Sequence, residues 1–114
     1  MNTKENLAQK QCEPCEGIGK SLTEEEARKY IKQVNDWKIS PNKKSIYREC
    51  TFKNFMAAIS FINHIADLAE HEGHHPDLHL TNYKSLRIEL TTHALNGLSK
   101  NDFMLAAKIN EIFL

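Results

Sequence analysis

From Phe52 to about Glu70 apolar residues recur at helical spacing, and no other stretch constrains the fold of this chain so tightly. Phe52, Phe55, Ile59, Ile62, Ala66 and Ala69 make one stripe, and Ala58, Phe61, Ile65 and Leu68 make a second beside it. At about 100° per residue the combined arc covers well over half the helix. In a chain of 114 residues a sheet and a short flanking helix leave part of such an arc uncovered. The second stripe is therefore expected to meet another subunit. Gly73 and Pro76 stop the helix, because glycine takes the left-handed cap and proline cannot continue the turn, so His74 and His75 fall in the loop just beyond it.

The elements around this helix follow from their own periods. Thr23 with Glu26 three residues later is a capping box, and Ala27, Tyr30, Ile31 and Val34 share a helical face. Trp37 and Ile39 alternate onto one face of a short strand, Pro41 and Asn42 supply a turn, and 45–51 continues as a second strand. Leu86, Ile88 and Leu90 alternate with Arg87 and Glu89, a half-buried strand with its turn at Leu95-Asn96-Gly97. Ser99 opens a last helix with Phe103, Ala106 and Asn110 on one side and Leu105, Ile109 and Ile112 on another. The order α-β-β-α-β-β-α predicts a single α+β domain, a four-stranded antiparallel sheet with helices on one face. It should occupy 21–114, behind a loose leader over 1–20 that carries Cys12 and Cys15.

Charge narrows the class of partner. Fifteen basic and fifteen acidic residues cancel and are spread along the chain, unlike the basic footprint of a nucleic-acid or membrane-surface binder. A small, nearly neutral ligand fits better. The polar stretch from Met1 to Gln11 lacks the apolar centre of a signal peptide, and the odd count of three cysteines suits a reducing compartment, so a cytoplasmic setting is expected.

Five of the six histidines lie between His71 and His93. Imidazole titrates nearest neutrality, so such clustering points to proton transfer or metal binding. The spacing runs Glu70, three residues, His74-His75-Pro76, six residues, Tyr83, nine residues, His93, eight residues, Asp102. This resembles the signature of the pterin-4a-carbinolamine dehydratases, and Thr92-His93-Ala94-Leu95-Asn96-Gly97-Leu98-Ser99 is similar to that family's Thr-His-x-x-x-Gly-Leu-Ser/Thr segment. The resemblance covers about Leu22 to the C-terminus. It implies dehydration of 4a-hydroxytetrahydrobiopterin to quinonoid dihydrobiopterin and water, recycling the pterin of an aromatic amino acid hydroxylase such as a phenylalanine hydroxylase. It also implies the same α+β architecture, a homotetramer built as a dimer of dimers, and no metal, nucleotide or other cofactor.

The resemblance places the three active-site histidines on His74, His75 and His93, with His74 and His93 as the proton-transfer pair and His75 chiefly holding the pterin. Pro76 restricts His75 to extended geometry. Glu70, one turn before His74, is positioned to bond a histidine or the guanidine-like edge of a pterin. Asp102 stands in the signature as a binding candidate, yet a capping box with Ser99 also accounts for it. Tyr83 either packs or contacts ligand, His64 and His71 read as surface residues, and His79 has no assigned role. A metal reading competes, since His71 and His74 are three apart and His75 and His79 four apart, but Pro76 breaks the helix that the second pair needs. A third reading is a non-catalytic interaction scaffold, because animal relatives of the family also act as dimerisation cofactors of a homeodomain transcription factor.

Overall fold

A computed structural model describes residues 6–10 and 19–113; Cys12 and Cys15 lie outside them. Three helices pack on one face of a four-stranded antiparallel sheet, in the order expected: α1 (Glu24–Ile31), β1 (Lys38–Ile39), β2 (Ile46–Thr51), α2 (Phe55–Glu72), β3 (Asp77–Thr81), β4 (Ser85–Leu90) and α3 (Lys100–Ile112). In space the strands run β1-β2-β4-β3.

The α1 capping box is formed as read: Thr23 N donates to Glu26 Oε1 at 2.8 Å, and Glu26 N donates to Thr23 Oγ1 at 3.1 Å. The bond from the Thr23 backbone holds the Glu26 carboxyl below its ordinary pKa. Strand β1 is only two residues long, held to β2 by Lys38↔Tyr47 and Ile39↔Ile46. Its approach is fixed by Trp37, which is buried and donates from Nε1 to Asn110 Oδ1 of α3 at 2.8 Å.

In the β2–β4 register Ile46 faces Leu90 and Arg48 faces Ile88, so Leu86, Ile88 and Leu90 point into the core while Arg87 and Glu89 face outward. That core is closed by Ile65 of α2 and by Phe103, Leu105 and Ile109 of α3, all fully buried. Each such side chain contributes about 1.5–3 kcal/mol by leaving water.

Helix α2 begins three residues later than its periodicity suggests. Asn54 caps it, accepting from Ala57 N at 2.8 Å, while Phe52 precedes the helix and its N–H donates to Lys84 O at 2.9 Å. The helix ends at Gly73, where φ is 67° and the N–H returns to Ala69 O. A side chain at that φ would cost about 1–2 kcal/mol.

The second apolar stripe, expected to meet another subunit, instead supplies most of the core contacts of α2, joined by Ala69 of the first. Ala58, Phe61 and Ile65 of the second stripe are in the core, Phe61 against Phe52 and Phe113. Phe55, at 48% exposure, heads the outward stripe, with half-buried Ile59 and Ile62 behind it; neighbouring Met56 is 69% exposed. Within the stretch expected as a leader, Leu7–Gln9 make one 3₁₀ turn whose Leu7 is buried in the core, and Lys108 Nζ donates to Ala8 O at 2.7 Å.

Candidate active site

Antiparallel pairing of β3 with β4 sets Asp77 opposite Glu89, so the residues just before β3 and just after β4 lie at the same end of the sheet. His74, His75 and Pro76 approach that end from α2, and Thr91, Thr92 and His93 leave it. The N-terminus of α3 arrives there too: Thr92 bridges Gly97 and closes the loop that carries His93, and Ser99 then caps α3.

His74 is buried, and its Nε2 lies 2.6 Å from Oδ1 of Asp102, which is inaccessible to solvent. The other carboxylate oxygen accepts from Thr92 Oγ1 and from Ser99 N, each at 2.9 Å. A buried carboxylate is costly unless it is well bonded, and three donors converge on this one. Because an ionised carboxylate only accepts, the histidine must present Nε2–H to it. Nδ1 is left as the nitrogen available to a substrate. Asp102 thus caps α3 as the sequence suggests and also grips a histidine, a contact the sequence did not suggest.

His75 and Glu70 form a second, exposed pair, with Nε2 and Oε2 2.6 Å apart and 62% and 79% of their side chains accessible. Gly73 makes this possible, because its left-handed turn reverses the chain so that His75 comes back over the last turn of α2. His93 is exposed in the 3₁₀ turn His93–Leu95, and no bond to another described residue fixes its ring. One end of the sheet therefore presents a histidine held by a buried carboxylate, a second paired with a surface carboxylate, and a third exposed to solvent. Such a set can give and take protons around a bound molecule.

Tyr83 is not part of this cluster within one chain. It sits with Asn82 at the tip of the β3–β4 hairpin, both at positive φ, 55% exposed, and the strand between it and His75 spans about 14 Å at the usual rise. His79 lies on the outer face of β3 opposite Arg87, away from the histidines. His64 and His71 are exposed. Among the described residues, no three His, Cys, Asp or Glu side chains are grouped to hold a metal ion. Burial pushes the Cys50 thiol up, which disfavours the nucleophilic thiolate.

Thr92 and Ser99 were not singled out from the sequence as site residues. A signal was present for Thr92: the inward phase of β4, Leu86, Ile88 and Leu90, continues to it, and a hydroxyl in a core phase needs a buried partner.

A family model described as pterin 4 alpha carbinolamine dehydratase matches residues 20–112. The chain is 43% identical over 110 residues to a protein of Legionella pneumophila (strain Corby) named putative pterin-4-alpha-carbinolamine dehydratase, covering 96% of each chain. It is 40% identical to pterin-4-alpha-carbinolamine dehydratase 2, mitochondrial, of Arabidopsis thaliana, over 94% of this chain and 59% of that protein. A crystal structure of a transcriptional coactivator/pterin dehydratase from Brucella melitensis superposes with a TM-score of 0.75 at 32% identity, over 81% of this chain and 97% of the other.

Proposed function

The chain belongs to the pterin 4 alpha carbinolamine dehydratase family, and we propose that it is the hydro-lyase that converts 4a-hydroxytetrahydrobiopterin to quinonoid dihydrobiopterin and water. The observation that carries this reading is the convergence of His74, His75 and His93 at one end of the sheet, with His74 gripped by Asp102 at 2.6 Å.

In this reaction the C4a–O bond breaks, its hydroxyl leaves as water after taking a proton, and a proton is released from the ring. His74 is the acceptor in this reading: its Nδ1 takes the ring proton, and the Asp102 carboxylate stabilises the imidazolium that results. His93, on its exposed turn, protonates the departing hydroxyl. Acid–base transfer of this kind contributes about 10²–10⁴ in rate, a useful margin for a reaction that also proceeds unaided. His75 and Glu70 hold the pterin, the exposed carboxylate facing its guanidine-like edge.

Substitution should separate these roles. His74→Ala is expected to lower kcat roughly tenfold or more with KM little changed, whereas His75→Ala should act mainly on KM. Equal effects of both on kcat would remove the distinction between proton transfer and binding.

The same proposal includes a homo-oligomer, a dimer of dimers, built on the outward stripe of α2. Exposed Phe55 and half-buried Ile59 and Ile62 motivate it. Light scattering at micromolar concentration should give a multiple of 13.1 kDa, and Phe55→Glu should lower it. A stable monomer for the unmodified chain would contradict the assembly. A cytoplasmic setting, with substrate supplied by an aromatic amino acid hydroxylase, completes the reading.

A further inference from the structure

We propose that Thr92 is a positioning residue for His74, acting through Asp102 to set which ring nitrogen carries the proton. The inference rests on the reading of His74 as a proton-transfer group.

The bonds allow one assignment of hydrogens. Thr92 Oγ1 lies 2.9 Å from Asp102 Oδ2 and 2.7 Å from Ser99 Oγ, and its hydroxyl has one proton to give. The carboxylate cannot donate, so Thr92 donates to Asp102 and accepts from Ser99. Ser99 N donates to the same oxygen at 2.9 Å. Two donors, one from the end of β4 and one from the start of α3, therefore fix the plane of the carboxylate and turn Oδ1 toward His74. Thr92, Ser99 and Asp102 are all fully buried, so no solvent competes for these bonds.

Thr92 is well placed for a second reason. It directly precedes His93, and its N–H donates to Gly97 O at 2.9 Å, closing the turn on which His93 rides. One residue thus anchors the loop of one histidine with its backbone and orients the other with its side chain. The hydroxyl is what the proposal makes functional.

Thr92→Val keeps the shape and the backbone bonds but removes the hydroxyl. In ¹⁵N-labelled full-length protein, the long-range ¹H–¹⁵N spectrum should show His74 of the unmodified chain with Nε2 protonated and Nδ1 bare. In Thr92→Val that pattern should give way to a mixture of tautomers, kcat should fall about tenfold with KM within about twofold, and Thr92→Ser should restore both. An unchanged His74 spectrum in a folded Thr92→Val protein would overturn the proposal. If Thr92→Val does not fold, Ser99→Ala, which removes the donor that aims the Thr92 hydroxyl, should give the same spectral change in smaller degree, and an unchanged spectrum there overturns it equally. A shifted spectrum together with a His74→Ala variant of full activity would instead sustain the relay and refute the role given to His74 in dehydration.

Discussion

Replacing His74 and His93 together by alanine is expected to bring dehydration down to its spontaneous rate. Each single change removes one half of the proton traffic, so each should lower kcat roughly tenfold or more, and the pair should remove most of an acid–base contribution of about 10²–10⁴. The two differ in what they do to the fold. His93 is exposed on a short turn, and its loss should leave stability within about 0.5 kcal/mol. His74 is buried against Asp102, so its loss strips the carboxylate of one donor at a cost of about 1–3 kcal/mol. Circular dichroism of the double variant must therefore show a folded chain before its rate is interpreted. A folded double variant that dehydrates at the unmodified rate would mean the chemistry lies elsewhere.

Asp102→Ala should be the most damaging single change to the molecule as a whole. It leaves His74, the Thr92 hydroxyl and the Ser99 N–H without their common acceptor in a site closed to solvent. Each buried donor left without an acceptor costs about 1–3 kcal/mol, and the lost helix cap adds about 1 kcal/mol. Against the 5–15 kcal/mol typical of a domain, that takes the chain close to unfolding, as a urea titration would show. Asp102→Asn separates stability from catalysis. Its carbonyl oxygen can still accept from Thr92 and Ser99, but its amide then donates toward His74 and forces the proton onto Nδ1. A folded Asp102→Asn protein should lose about 10² in kcat, and one of normal rate and stability would show that the carboxylate only caps.

The two bonds of Asp102, as cap of α3 and as partner of His74, explain why it was only half legible. From the sequence, three positions after Ser99, it reads as a helix cap, and that reading holds. Its bond to His74 joins residues 28 apart and depends on how α2, the hairpin and α3 meet, which no local period encodes. The histidines themselves were legible because spacing survives folding here: a helix stop, a hairpin and a short turn return both segments to one end of the sheet. Tyr83 shows the opposite case. Its spacing belongs with theirs, yet a hairpin long enough to align Asp77 with Glu89 carries its tip to the far end.

The order of the elements was legible, and most of them had a period and a cap or turn residue to place them; β3, Asp77–Thr81, was not located, because it is a short exposed edge strand beside the histidine loop. Which half of the α2 arc faces the sheet was not legible either. Arc width says how much must be covered, whereas the choice of face depends on the contacts of Phe61 with Phe52 and Phe113, residues from either side of the helix. Leu7 was invisible for a simpler reason: a single 3₁₀ turn has too few residues to show a period.

The central claim is that this chain speeds loss of water from a pterin carbinolamine with its own histidines. The direct measurement is to generate 4a-hydroxytetrahydropterin rapidly, add the purified protein, and follow quinonoid dihydropterin by its ultraviolet absorbance. The account predicts an initial rate that rises in proportion to protein, saturates with substrate, and returns to the uncatalysed decay when the His74→Ala/His93→Ala protein is used instead. A progress curve that the unmodified protein leaves unchanged at any concentration would contradict it.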